Sequence, residues 1–287
     1  MGPLLKVELK KAFTNKMFFI CLAIGLLIAG VSAVQNITNY LTGREMLREI
    51  IAAGFEQNPT FAINSPYTEW IGNDPQYPMT ALFYMLLPLL AGLAYGWSFS
   101  AERKSGYVAQ MVSRSRKKSQ YFLAKYIATF LAGGAVVAIP LVLNFLAVAC
   151  FIPAYTPDSF YQIYYFMEVH FLRGLFYNAP LLYVCYTILL DFVFAGLFAA
   201  ACVSLAFFVK NKFAVILLPF LGVFAVQYFQ DNVLGAVIGD VTISPMDFLR
   251  GYAPQTVLGW IILLWLILLV VFTLGITWIK GAKDDVL

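Results

Sequence analysis

Residues 100–125 read SAERKSGYVAQMVSRSRKKSQYFLAK, and they are the only strongly charged block in a chain that is otherwise largely apolar. The block joins two long apolar runs, Thr80–Phe99 and Tyr126–Ile152. It holds seven of the nineteen Lys and Arg side chains: Arg103, Lys104, Arg114, Arg116, Lys117, Lys118 and Lys125. A basic block between two apolar spans predicts that their adjoining ends lie on the cytoplasmic side of a membrane.

A short helix is predicted inside this block. Tyr107, Val108, Met111 and Val112 are spaced i, i+1, i+4 and i+5, which places them on one face of a helix. An apolar helix face on a charged cytoplasmic loop suggests a docking surface for a soluble partner. The same pattern fits a helix that lies on lipid headgroups in a loop that only sets the topology. Spacing alone does not separate these two interpretations.

The composition places the whole chain among membrane proteins. Hydrophobic residues make up 61% and charged residues 12% of the 287 residues, whereas soluble domains have about 45–50% apolar and about 25% charged residues. The mean hydropathy is +0.79. We therefore expect one all-α membrane domain over residues 1–287, without a separate soluble catalytic domain. The four cysteines lie in apolar runs without metal-ligand spacing, and most positive charges lie in short loops, so neither a metal site nor nucleic-acid binding is predicted.

Six apolar runs are long enough to cross a bilayer, whose core needs about 20 helical residues. They are Met17–Val34, Thr80–Phe99, Tyr126–Ile152, Ala179–Val209, Phe213–Phe229 and Val257–Ile279. The preceding residues, 3–15, are too polar to cross. Leu5, Leu9, Ala12 and Phe13 share one helix face there and lysines occupy the other, so an amphipathic helix lying in the inner interface is predicted.

The distribution of charge predicts the topology. If both termini are cytoplasmic, the outer segments carry four basic residues, Arg44, Arg48, Arg173 and Arg250, and the other fifteen lie inside. Such an excess of Lys and Arg marks the cytoplasmic side.

The outer segments contain helix signals of their own. Thr42-Gly43-Arg44-Glu45 is a capping box, which predicts a separate helix that ends near Ala53. Between the fifth and sixth spans, short helices are predicted over Val233–Gly239 and Pro245–Arg250. Ser244 is the expected cap of the second, with proline at its first position.

The sequence lacks motifs for catalysis. It contains no G-x-x-x-x-G-K-[ST] phosphate loop, no H-E-x-x-H metal motif, and a single histidine, His170. We therefore expect no enzymatic activity, no catalytic residue and no metal site in this chain.

Asp191 is the one ionisable residue inside a predicted span. An acid at mid-membrane costs about 2.5–3.5 kcal/mol, so it should face protein or water and have a partner. One interpretation makes Asp191, with Asn144, a contact for a substrate or cation along a pathway. The other makes it a structural residue that bonds to Asn144 or Thr187 or is protonated. The sequence leaves both open.

The whole chain resembles the membrane subunit, or permease, of a type-2 ATP-binding-cassette (ABC) transporter. Three features carry the resemblance: the amphipathic N-terminal helix, the loop between spans two and three, and the two short outer helices between spans five and six. In that loop the family has an acid, Lys/Arg-x-Gly, an arginine pair and a lysine entering span three. Here these are Glu102, Lys104-Ser105-Gly106, Arg114-x-Arg116 and Lys125. The Gly106-Tyr107 form is similar to Gram-positive permeases for export of, or immunity to, antimicrobial peptides.

The resemblance implies that the loop forms a coupling helix, which docks into a cleft of a separate ATPase subunit. Two ATPase copies would bind ATP and Mg and drive two permease chains, identical or homologous, in a bacterial cytoplasmic (plasma) membrane. The substrate of such an exporter would be a peptide, a lipid or a drug-like amphiphile. The implied docking residues are Glu102, Arg103, Lys104, Gly106, Tyr107, Val108, Met111, Val112 and Arg114.

Two other functions are compatible with the sequence. A stand-alone carrier or channel would use Asp191 as an ion-linked residue, but spans one to three and four to six show no internal repeat of the kind common in carriers. A membrane scaffold or sensor would transport nothing. An adjacent reading frame for a phosphate-loop ATPase, or transport that requires such an ATPase, would distinguish the ABC function from both.

Overall fold

A computed structural model gives the fold, and it describes residues 2–56, 64–74, 78–114, 118–157, 170–251 and 255–283. Their regular structure is helical. In chain order the helices are α1 (Gly2–Phe13), α2 (Lys16–Ala52), α3 (Pro78–Ala91), α4 (Ser98–Lys104), α5 (Tyr107–Arg114), α6 (Lys118–Phe151), α7 (Arg173–Asn178), α8 (Pro180–Leu205), α9 (Lys212–Phe229), α10 (Gly235–Ile238), α11 (Pro245–Phe248) and α12 (Gly259–Lys283). One π-helical segment, Gly92–Gly96, lies between α3 and α4, and another, Gln230–Leu234, joins α9 to α10.

Six helical stretches within the described ranges are long and apolar enough to cross a membrane. They are α2, α3 continued to Lys104, α6, α8, α9 continued to Leu234, and α12. Each contains most of one predicted span. The prediction of an all-α fold with six membrane-length helices is therefore confirmed, and it indicates a multi-pass membrane protein.

The first long helix differs from its prediction. α2 continues through Thr42 to Ala52, so the separate helix predicted from the capping box at Thr42 is wrong. Beyond the predicted end of the span, Tyr40 packs with Ala33, Val148 and Ile152 in a small apolar cluster. A capping box acts only at a residue where a helix begins, and α2 is already helical before Thr42.

The short helices between α9 and α12 follow the prediction in part. Ser244 caps α11 as expected, since its hydroxyl accepts a hydrogen bond from the Met246 amide at 3.2 Å and Pro245 occupies the first helical position. The first short helix is not separate, because the π-helical segment Gln230–Leu234 connects α10 to α9 without a break.

α8 lies at the centre of the bundle, and α6 packs closely against it. A Cβ added to Gly133 of α6 would lie 2.4 Å from the Ala199 Cβ, and one added to Gly196 of α8 would lie 2.7 Å from the Phe130 ring. Only glycine permits this distance at both positions. Small residues at such contacts let helix backbones approach where lipid offers no hydrophobic driving force.

The bundle has two distinct ends. Glu8 of α1 contacts Lys125 of α6, Arg103 of α4 contacts the Ala206 carbonyl after α8, and Lys280 of α12 lies over the Phe208 ring. We call this the basic end, because it gathers α1, the loop between α4 and α6, and the segment between α8 and α9. The other end, which carries residues 64–74, 230–251 and 255–257, is called the opposite end.

Candidate functional site

A buried network of charges joins three helices at the basic end. Lys125 Nζ of α6 lies 3.0 Å from Glu8 Oε2 of α1 and 2.8 Å from Glu102 Oε2 of α4. Lys11 of α1 bridges the same two acids, at 3.1 Å from Glu8 Oε1 and 3.2 Å from Glu102 Oε1. Two lysines and two glutamates therefore alternate in one four-membered cluster, which we call the ion cluster.

Tyrosines complete the ion cluster. The Tyr95 hydroxyl donates to Glu8 Oε2 at 2.9 Å and accepts from Lys125 Nζ at 3.1 Å, while the Tyr121 hydroxyl donates to Glu102 Oε2 at 2.7 Å. Lys11 Nζ lies 4.0 Å from the centre of the Tyr107 ring, which brings α5 into the same assembly. The cluster thus touches α1, α4, α5 and α6 together.

The charges in this cluster compensate one another away from water. Lys125 and Glu8 are 0% and 1% exposed. Burial alone would raise the pKa of Glu8, but Lys125 and Lys11 outweigh it and hold that pKa below its ordinary value. Burial likewise opposes protonation of Lys11, yet Tyr107 and the two acids raise its pKa. Glu8 is therefore ionised at neutral pH and bound to its lysines.

The short helix predicted in the basic loop is present, but its apolar face packs inside this chain. α5 spans Tyr107–Arg114, as the spacing predicts. Val108 and Val112 are only 1% and 9% exposed, because they pack with Phe99, Phe122 and Val203 in this chain's own core. They do not form an exposed docking face. Tyr107 and Met111 are half-buried, and the exposed side of α5 carries Gln110 and Ser113.

The other predicted docking residues occupy different surroundings. Glu102 belongs to the ion cluster, whereas Arg103 and Lys104 are exposed beside the end of α8. Gly106 has φ +75°, a left-handed conformation that favours glycine and lets the chain turn from α4 into α5. Arg114 is the last residue of α5, and Arg116 and Lys117 lie outside the described residues. Docking itself stays a prediction.

Asp191 lies inside the bundle with a partner that the sequence did not suggest. The Tyr84 hydroxyl of α3 donates to Asp191 Oδ2 at 2.9 Å, and Asp191 is completely buried. Thr187 donates instead to the Tyr183 carbonyl, so the suggested bonds from Thr187 and Asn144 to Asp191 are wrong. Its second oxygen, Oδ1, has no hydrogen-bond partner among the described residues.

Asn144 bonds to backbone atoms of α2 and of residues 64–74, and its role along a pathway stays a prediction. Its Oδ1 accepts from the Ile71 amide at 2.9 Å, and its Nδ2 donates to the Ala29 carbonyl at 2.7 Å. The side chain thereby links α6 to α2 and to residues 64–74. Both functional groups of the amide are occupied by backbone atoms, which is the arrangement of a structural brace.

Residues 64–74 form an inserted segment at the opposite end. Trp70 and Ile71 are fully buried, and the Trp70 ring packs edge-on against Phe145 at 5.8 Å. The Gly251 amide donates to the Gly72 carbonyl at 2.7 Å, which fixes the segment to the turn after α11. The burial of this segment depends on contacts with α2, α6 and residue 251 together, and no local pattern of residues predicts such contacts.

The Asn36 side-chain amide holds two residues of the inserted segment, one by its carboxylate and one by its main-chain carbonyl. Asn36 Nδ2 of α2 donates to Asp74 Oδ2 at 2.9 Å and also to the Glu69 carbonyl. Burial, and then the nearby charge of Asp74, raise the pKa of Glu69 from 4.5 to about 7. The folded protein therefore binds a proton at Glu69 that the unfolded chain releases at lower pH.

This pKa gives stability a definite pH dependence. Because the pKa of Glu69 is higher in the folded state, we expect its contribution to fall as pH rises from 4.5 to 7 and then level off. Thermal unfolding in detergent at pH 5 and pH 8 measures it. Glu69→Gln should unfold at a more similar temperature at the two pH values than the wild type. Equal pH slopes in the two proteins would contradict this assignment.

An apolar groove opens between α3 and α9. Its volume is about 540 Å³, and its walls include Met79, Leu82, Tyr84, Met85, Phe224 and Arg250. Tyr84 connects the groove to Asp191, since the same residue lines one and donates to the other. Arg250 is held by an ion pair with Asp247. The groove can accept a flexible apolar molecule, because three of its lining residues are methionines, Met79, Met85 and Met246.

The described residues contain no group of three or more His, Cys, Asp or Glu side chains that could hold a metal ion. The ion cluster, the inserted segment, Asp191 and the groove are polar or open features on which a functional assignment can be based. Neither a protein-family model nor a curated protein sequence matches this chain.

Proposed function

We propose that this chain is the membrane subunit of an ABC transporter, an exporter driven by a separate ATPase that holds ATP and Mg. The ion cluster is the observation that carries the proposal. It ties α5 to α1, to α4 and to α6 through Lys11, Glu8, Glu102 and Lys125. A force applied to the short helix would therefore reach two membrane-length helices through packed, paired side chains rather than through a flexible loop.

The docking surface in this proposal is the exposed side of α5. Gln110 and Ser113 face outward, Gly106 precedes them, and Tyr107 and Met111 are half-buried at the edges. The buried Val108 and Val112 hold the helix on the bundle. An ATPase cleft would then receive the helix by its polar side, and its motion would press on the apolar side.

Two such chains, identical or homologous, would enclose the substrate pathway in a bacterial cytoplasmic membrane, with both termini in the cytoplasm. The groove between α3 and α9 offers each chain an apolar wall for a peptide, a lipid or a drug-like amphiphile. Closure of the ATPase pair on ATP would shift the membrane halves between two states. ATP can shift that equilibrium only as far as its binding differs between them.

A substitution on the exposed side of α5 tests the docking. Gln110→Glu with Ser113→Glu adds two negative charges without disturbing the buried face, and we expect co-purification of the ATPase to fall at least about tenfold, a loss of about 1.4 kcal/mol. The ATPase is the product of an adjacent phosphate-loop reading frame, expressed with the chain.

The matched control is Asn178→Glu with Asn232→Glu, which adds the same charge to exposed residues outside the basic end. It should leave co-purification unchanged. Normal recovery of the ATPase with the α5 variant, in a protein that elutes as a single species, would refute docking on this side.

Asp191 favours a second candidate, an ion-coupled carrier or channel. It is completely buried, with one oxygen bound to Tyr84 and the other without a partner among the described residues. The purified chain alone in liposomes should then transport a solute when an ion gradient is imposed, and Asp191→Asn should abolish this transport. The ABC proposal expects no transport until the ATPase and ATP are added.

A further inference from the structure

A basic pocket lies at the basic end, beside the exit of α8. Its volume is about 340 Å³, and it is lined by Ser100, Arg103, Lys104, Ala206, Val209 and Lys210. Three of these six residues are cationic and none is acidic. The cations come from two separate stretches of chain, the end of α4 and the segment between α8 and α9, and converge on one concave space.

The Arg103 side chain is fixed at the wall of this pocket. Its Nη1 donates to the Ala206 carbonyl at 3.1 Å and to the Phe207 carbonyl at 3.2 Å. These carbonyls follow the last turn of α8, where the negative end of the helix dipole would otherwise repel an anion. Arg103 neutralises that end, so the pocket as a whole stays positive.

An apolar stripe begins where the pocket ends. Asn211, next to Lys210, caps α9 by accepting from the Phe213 amide at 2.9 Å. From there Phe213, Leu217 and Leu221 follow one face of α9 and are 64%, 42% and 53% exposed. The exposed apolar face of α9 therefore begins three residues after Lys210, which lines the pocket.

We propose that this pocket binds the phosphate of an anionic phospholipid, whose acyl chains lie along the exposed face of α9. Basic pockets between membrane helices bind anionic headgroups, because paired Lys and Arg side chains make charge-assisted hydrogen bonds to phosphate oxygens. The stripe distinguishes a lipid from a free anion, since only a lipid covers both surfaces. The site does not depend on ATPase docking, since the pocket shares no residue with the docking surface proposed on α5.

Retention of lipid by the purified full-length chain tests this proposal. Nanodiscs of phosphatidylcholine with increasing phosphatidylglycerol would be loaded with the wild type, Lys210→Gln, or Lys104→Gln with Lys210→Gln. Native mass spectrometry then counts bound phosphatidylglycerol. We expect affinity to fall about fivefold in the single and about 30-fold in the double variant, since each lysine near an anionic surface contributes about 1 kcal/mol.

The control removes the same charge elsewhere at the basic end. Lys6→Gln with Lys10→Gln alters two exposed lysines of α1 that do not line this pocket. Their attraction to anionic lipid is spread over the membrane surface, so the affinity of the retained lipid should change less than about twofold. An equal loss in both double variants, or equal retention of phosphatidylcholine and phosphatidylglycerol by the wild type, would overturn the site. Displacement of the lipid by millimolar inorganic phosphate would overturn the lipid assignment in favour of a free anion.

Discussion

Replacement of Lys125 by methionine is expected to lower the free energy of unfolding by about 3–5 kcal/mol, because removing one partner of a buried ion pair leaves an uncompensated buried charge. Lys125 is completely buried and lies within 3.0 Å of both Glu8 and Glu102. Methionine has nearly the same length and shape, so little packing is lost. Thermal and urea unfolding in detergent, at neutral pH, measure the change.

The design includes a control and a rescue. Lys10→Met removes an exposed lysine of α1 and should change stability by less than about 0.5 kcal/mol. Glu8→Gln combined with Lys125→Met removes both charges and should recover part of the loss, as coupled residues do. If Lys125→Met and Lys10→Met unfold alike, the ion cluster does not stabilise the junction.

Gly251→Ala is expected to displace the inserted segment and cost about 1–3 kcal/mol through overpacking. A Cβ at residue 251 would lie 2.5 Å from both Asn73 Oδ1 and the Tyr183 hydroxyl, and 2.9 Å from the Gly72 carbonyl oxygen. The last of these is backbone and cannot rotate away. We expect the segment to move outward, and a cysteine placed at Ile71 to react with a membrane-impermeant maleimide.

A second glycine provides the comparison. Gly222 lies within α9, and a Cβ added there would meet nothing within 4 Å. Gly222→Ala should be neutral or slightly stabilising, since alanine favours a helix interior by about 0.5–1 kcal/mol over glycine. The comparison uses a background in which the four native cysteines are replaced. Should cysteine 71 stay unreactive in Gly251→Ala at unchanged stability, residue 251 does not hold the segment in place.

The helices were predictable because an apolar run of membrane length has one stable backbone conformation in a bilayer, the α-helix. In a bilayer each backbone polar group must bond within its own segment, so length and composition are sufficient to locate α6, α8 and α12. Local caps were predictable where the chain turns, as at Ser244. The capping box at Thr42 failed because α2 is already helical before Thr42, so no helix begins there.

The environment of each functional side chain was harder to predict. The spacing of Val108 and Val112 located one helix face, but it did not say whether this chain or a partner covers that face. The structure shows that the chain's own core covers it. Glu8 and Lys125 were each unusual in the sequence, because Glu8 is an acid in a basic helix and Lys125 is a lysine at the start of a span. Their pairing joins residues 117 positions apart, and no local pattern records that distance.

The sequence by itself determined that this protein has six membrane-length helices, an amphipathic N-terminal helix and a basic loop with a short helix, because each follows from local composition and period. Only the tertiary structure decided that α5 turns its valines inward, that Glu8, Glu102 and Lys125 meet, and that residues 64–74 enter the bundle. Each of these features is a set of contacts between residues that are distant in sequence. They depend on which faces the packed helices bring together, and a linear pattern of residues does not specify those faces.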